Sequence, residues 1–158
     1  MSDLYCLACG KYAYRNRHKC DILSLVPVTR RCRNLADKLF ELGIEPLSVA
    51  HFTQLAVGSD YKYIINVLIE LRHSYPVDIL GDSLPIKWRW YSETSSDDRT
   101  PLLIPILAYY ETYCYDGVKS VDDRVQEIIK QFENHLDTAY DPQSIKAVLK
   151  LGGYDIGQ

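Results

Sequence analysis

Short apolar runs and polar stretches alternate along the chain, and their period changes from one segment to the next. Residues 22–28 (Ile-Leu-Ser-Leu-Val-Pro-Val) are an apolar run bounded by polar residues, which predicts a strand. Thr29 follows as a helix cap. Cys32, Leu35, Ala36, Leu39 and Leu42 then recur at helical spacing, and Gly43 sits where a left-handed C-terminal glycine belongs. Residues 47–52 predict a second strand, and Gly58-Ser59-Asp60 a turn. Over 61–72, Tyr61, Tyr63, Ile65, Val67, Ile69 and Leu71 share one face of an alternating pattern. Ile64, Ile65, Leu68 and Ile69 also fit a helix, and the density of β-branched residues favours strand. Pro76, Gly81 and Pro85 leave room only for a short helix around 77–80, and 86–91 alternates again as a strand.

Residues 92–100 are a polar loop and the best boundary. Over 101–115 the signals conflict. Thr100-Pro101 resembles a cap with proline at the first helical position and Gly117 a stop, whereas Pro105 removes a donor from the second turn; the balance favours helix. Ser120-Val121-Asp122-Asp123 resembles a capping box, and Val121, Val125, Ile128, Ile129, Phe132 and Leu136 form one apolar stripe behind it. Asp141-Pro142 opens a last helix with Ile145, Val148 and Leu149 inward, and Gly152-Gly153 stop it. The element order over 22–91 is similar to a ferredoxin-like split βαβ unit. The expected fold is therefore α+β in three parts: a small N-terminal module over 1–21, an α+β body over 22–99, and a helical region over 100–158 packed on that body.

Composition changes this picture at one end only. The 158 residues are 47% hydrophobic and 25% charged, which is globular. Residues 1–21, by contrast, are poor in aliphatics and rich in Cys, Arg, Lys and Tyr, and such a segment needs a staple. The net charge of −3 is uneven. Residues 1–33 carry +5 and residues 34–158 carry −8, so the basic end is expected to meet something anionic, or the two ends neutralise one another. Thirteen tyrosines against three phenylalanines suit half-buried surfaces and interfaces. No apolar run is long enough to span a membrane and no secretory signal is visible, so the expected address is the cytoplasm.

The cysteines carry the one chemical signature. Four of the five lie in the first 32 residues, an odd and clustered set that reads as metal binding rather than as a disulfide framework. Cys6-Leu7-Ala8-Cys9-Gly10 places two thiolates on a tight turn, with glycine supplying the turn's freedom. His18-Lys19-Cys20 supplies a second pair, with one intervening residue. The segment over 4–21 resembles zinc-ribbon and zinc-knuckle modules. Cys6, Cys9, His18 and Cys20 would close a tetrahedral structural zinc site with no open position, and Cys32 is the alternative fourth ligand.

Around this cluster Lys11, Arg15, Arg17 and Lys19 interleave with Tyr12 and Tyr14, and Arg30, Arg31 and Arg33 follow. Such a surface contacts phosphates and stacks on bases, or meets an acidic protein. The acidic whole favours a protein partner over nucleic acid. No P-loop, dinucleotide-binding glycine pattern, nucleophile elbow or H-E-x-x-H motif is present. The expected function is a non-enzymatic binding or regulatory protein, an adaptor or inhibitor of a larger protein or nucleoprotein machine, with a structural zinc. A small metal-dependent enzyme acting on nucleic acid or nucleotides is the alternative, and would need Asp78, Asp82, His51 and His73 to converge. A sequence-tolerant nucleic-acid-binding protein is a further one. No membrane partner is expected, and an exposed sheet edge over 61–71 would allow homo-oligomers.

Overall fold

The computed structural model describes residues 4–13, 20, 24–81, 83–94 and 103–151. Its elements, in chain order, are β1 (Leu4–Cys6), β2 (Lys11–Tyr12), β3 (Leu25–Pro27), α1 (Arg33–Glu41), β4 (Pro46–Leu55), β5 (Lys62–Leu71), α2 (Tyr75–Leu80), β6 (Trp88–Thr94), β7 (Leu103–Cys114), α3 (Val121–Ala139) and α4 (Pro142–Leu151). The fold is α+β. A four-stranded antiparallel sheet runs in the order β4-β5-β7-β6, and a small three-stranded sheet in the order β2-β1-β3.

The alternating pattern of β5 decides which face of the large sheet is buried. Ile65, Val67, Ile69 and Leu71 are buried, together with Val49 of β4, Leu107 and Tyr109 of β7 and Trp88 of β6. They form one core with Leu35, Ala36 and Leu39 of α1 and with the stripe Val125, Ile128, Ile129, Phe132 and Leu136 of α3. Ile145 and Leu149 of α4 complete it. Trp88 lies 4.2 Å from Phe132 and 5.5 Å from Tyr109, ring centre to ring centre, which ties β6 and β7 to α3.

Helix boundaries follow the caps. Ser120 Oγ accepts from the Asp123 N–H at 3.1 Å, as the capping-box pattern predicts. Gly43 takes the positive φ of 85° expected past the end of α1. Thr29 does not cap α1. Its Oγ1 accepts from the His51 N–H at 3.1 Å and its N–H donates to Val49 O at 3.0 Å, so it stitches the chain after β3 to β4. A 3-10 turn over Arg30–Cys32 starts the helical stretch instead.

Two expectations about the fold need correction. The segment 103–114 is a strand, not a helix, and it lies inside the large sheet rather than in a helical C-terminal region. Ile104, Ile106, Tyr109, Tyr110, Thr112 and Tyr113 all favour strands, and their burial alternates. Pro105 pairs with Ser92 of β6 but lies one residue beyond the last β5 pair, Glu70 with Ile106, so its missing donor meets no partner on that side. The second correction follows from the first. In a split βαβ sheet the strand before α1 would sit between β5 and β6. Here β7 fills that place, and β3 is displaced to pair with β1, lying beside β4 with one parallel Val28–Val49 bridge just past its end. The ferredoxin-like arrangement is not reproduced.

One charge network lies under the sheet. Glu111 of β7 is 7% exposed and accepts from Arg124 Nε and Nη2 (2.7 Å each), Lys87 Nζ (3.0 Å) and Tyr109 OH (3.0 Å). The Arg124 bonds above all hold its carboxyl down at about 2, against an ordinary value of 4.5. A depressed folded-state value means that the stabilisation is present above 4.5 and is lost as pH falls through about 2. Denaturation midpoints should therefore fall between pH 4.5 and pH 2, and less steeply in Glu111→Gln than in the parent chain. At neutral pH, Leu107→Ala should cost about 3 kcal/mol in urea unfolding, the usual loss for a fully buried leucine.

Candidate metal centre

The N-terminal segment owes its shape to backbone pairing rather than to apolar content. β1 pairs with β2 through Tyr5–Tyr12 and Cys6–Lys11, and with β3 through Leu4–Pro27, Tyr5–Val26 and Cys6–Leu25. Between β1 and β2 the chain reverses over 7–10. Gly10 N–H donates to Cys6 O at 2.9 Å, and Gly10 takes a φ of 71° that an L side chain would resist. The Leu7 N–H donates to Ser24 O at 3.0 Å, which holds the turn against the chain leading into β3.

Side chains on β1 alternate between two tasks. Tyr5 points towards the main core and is fully buried, and Cys6 is buried on the opposite face. The Tyr5 hydroxyl donates to Asp37 Oδ1 of α1, and its ring lies 5.0 Å from that of Tyr12. Burial, followed by the bond to Asp37, pushes the Tyr5 phenol well above its ordinary value. The Tyr12 hydroxyl donates to Val28 O at 3.2 Å, and the Arg30 guanidinium stacks 4.4 Å from the Tyr12 ring centre. The small sheet is thus fastened to α1 and to the chain after β3 by its tyrosines.

On the other face the sulfurs of Cys6, Cys9 and Cys20 all lie within 4.8 Å of one another. Cys6 is buried, Cys9 exposed and Cys20 half-buried. The group could hold a metal ion. Desolvation, then hydrogen bonding to Cys6 and Cys9, pushes Cys20 up to about 11. For Cys9 desolvation acts upward, but hydrogen bonds from Cys6, the Lys11 backbone and Cys20 outweigh it and bring the thiol below its ordinary value. Three thiolates this close repel one another unless a cation lies between them.

The other residues singled out from the sequence divide as follows. His18, Tyr14, Arg15, Arg17 and Lys19 lie outside the described residues. Cys32 is not part of the three-thiol group. It is fully buried in the main core at the start of α1, where its burial raises it to about 11 against a lowering hydrogen bond with Thr29. The periodic helix pattern places it inward, and that packing takes it away from the turn. Lys11, Arg30 and Arg33 are exposed. Arg31 instead pairs with Asp122 of α3 at 2.8 Å, so part of the basic segment does neutralise the acidic C-terminal half.

Among the described residues, His51, His73 and Asp78 form no group of three close ligands. His51 lies in mid-β4 opposite Val67 and bonds Thr53, and burial, then Arg31, lowers it. His73 follows the end of β5, stacks on Tyr75 and approaches Glu45 at 3.8 Å. Glu45 precedes His51 by six residues, about 20 Å along an extended strand. Asp78 lies on α2, where it lines a cleft of about 680 Å³ with Trp90, Leu103 and Pro105, and Asp82 is outside the described residues. Sequence reasoning missed the role of Tyr5. Its position directly before the first cysteine was the available signal, but a three-residue strand has no period to show which way the ring points.

Comparison with protein-family models, curated proteins and solved structures finds no match.

Tyr5→Phe should leave Asp37 without this donor, cost about 1 kcal/mol in denaturant unfolding, and speed modification of Cys6 by a thiol reagent. An unchanged midpoint with unchanged Cys6 reactivity would show that the small sheet is held independently of α1.

Proposed function

We propose that this chain is a non-enzymatic binding or regulatory protein, an adaptor or inhibitor of a larger machine, whose N-terminal turn is closed by a structural zinc ion. The observation that carries the metal is the meeting of three thiols, Cys6, Cys9 and Cys20, within 4.8 Å. Tetrahedral zinc with bonds of about 2.3 Å needs sulfurs about 3.8 Å apart, so the spacing demands only a small contraction. His18, two residues before Cys20, is the fourth ligand of this reading. Four protein ligands leave no coordination position for substrate, which makes the ion a staple rather than a catalyst.

Two features support the binding role. The residues that a nucleic-acid or nucleotide hydrolase would use are spread over β4, the end of β5 and α2. Lys11, Arg30 and Arg33 are exposed beside the stapled turn, where they would meet an acidic protein surface. Phosphate-backbone binding by the same residues is the rival reading, and a salt titration separates the two. Displacement of several phosphates' counterions makes affinity fall steeply with salt and tolerate any sequence.

Purified protein never exposed to chelator should carry about one equivalent of zinc per chain. Cys6→Ser, Cys9→Ser, His18→Ala and Cys20→Ser should each lose most of it, while Cys32→Ser retains it. Less than about half an equivalent in the parent chain would count against the staple. Loss of zinc from Cys32→Ser, with the circular dichroism of the parent retained, would move the fourth ligand there.

A further inference from the structure

An antiparallel sheet with one face in water normally places polar side chains on that face. The large sheet departs from this. Its inner face packs on α1 and α3, and its outer positions read Ile64, Asn66, Leu68 and Glu70 on β5, Ile106, Ala108, Tyr110 and Thr112 on β7, and Arg89 and Tyr91 on β6. Phe52 of β4 is 53% exposed, Tyr110 55% and Tyr91 of β6 54%. Among the described residues no element is packed over these side chains, so a face with an apolar and aromatic centre, and with Arg89 at its β6 margin, is left without a partner.

The strand register sorts this face into rows across the sheet. Phe52, Asn66 and Tyr110 form the middle row. Ala50, Leu68 and Ala108 lie on one side of it, and Gln54, Ile64 and Thr112 on the other. Beyond these, Glu70 stands at one end of β5 and Lys62 at the other, each four residues from Asn66. Among the described residues neither Glu70 nor Lys62 makes an ion pair.

We propose that the outer face of this sheet is a two-fold interface with a second copy of the chain, with Asn66 of β5 on the axis. A two-fold axis lying across the strands over the middle row maps each row onto its mirror position. Leu68 of one protomer then faces Ile64 of its partner, and Glu70 faces Lys62. Asn66 faces its own copy, which suits an amide because it both donates and accepts. Phe52 and Tyr110 likewise meet their own copies. Such self-complementarity is what an isologous contact requires and what a foreign partner would not need. The part of the face that maps onto itself, β4, β5 and β7, is about 15 Å across and about 25 Å along the strands. With side-chain relief, that falls at the small end of specific interfaces, as for a dimer that forms at micromolar concentrations. The contact is independent of the zinc turn, so it stands or falls apart from the proposed staple.

Sedimentation of the full chain should show a species of twice the 18.2 kDa monomer at concentrations up to about 100 μM. Leu68→Lys should weaken it at least about tenfold while leaving circular dichroism and thermal unfolding of the monomer intact. Lys62→Glu and Glu70→Lys should each weaken the dimer severalfold, and the double reversal should restore it to within about threefold of the parent. Lys62 and Glu70 lie about 27 Å apart on one strand, so rescue must come from a second copy. A parent chain that stays monomeric overturns the proposal. So does a dimer indifferent to Leu68→Lys, or single reversals that the double variant fails to repair.

Discussion

Tyr5 is the side chain that anchors the small sheet in the main core, beside the backbone bonds of Val28 and Thr29 that join the chain after β3 to β4. It sits in the central strand of the small sheet, one residue before the first thiol, and its ring is fully buried in the main core. Its hydroxyl reaches Asp37 in the middle of α1, while its strand neighbour Cys6 turns the other way into the thiol group. The alternation of a strand thus converts one residue step into two functions, with the core on one side and the thiol group on the other. A segment with so few aliphatic residues has no core of its own. What fixes it is pairing with β3, the aromatic contact between Tyr5 and Tyr12, and the bond to α1.

The same geometry explains why the proposed zinc ion would be structural. The Cys6–Cys9 turn can bring two sulfurs together locally, but Cys20 must return from beyond β2, and no backbone ladder among the described residues carries it there. Thiolates drawn together in this way repel one another, and a cation between them removes that cost. A staple of this kind would order the basic residues beside it without taking part in chemistry. The interior beneath the large sheet is stabilised differently. There Glu111, Arg124, Lys87 and Tyr109 satisfy one another beneath the sheet, so a buried charge is paired rather than left to a ligand.

Legibility in the sequence tracked the length of each periodic pattern. The α3 stripe, the β5 alternation and the Gly43 stop each span enough residues, or use a distinctive enough one, to be read locally. By contrast, β1 and β2 are too short to have a period, and they become strands only because β3 is present to pair with them. β7 was hidden by helix-like punctuation at its two ends and by Pro105, whose tolerance depends on where the β5 ladder stops. That is tertiary information. It also displaced β3 from the large sheet and so undid the ferredoxin-like reading. In the candidate site, the C-x-x-C-G turn was legible because a turn is local. The burial of Cys32 apart from the three-thiol group was not, since its helical position suits a core and a ligand equally until the packing of α1 is known.

X-ray absorption at the zinc edge of the loaded protein addresses the proposed closed site most directly. The account predicts a four-coordinate ion with three sulfur neighbours at about 2.3 Å and one imidazole nitrogen at about 2.0 Å. A first shell of mainly oxygen, or of fewer than three sulfurs with water in an open position, would contradict it.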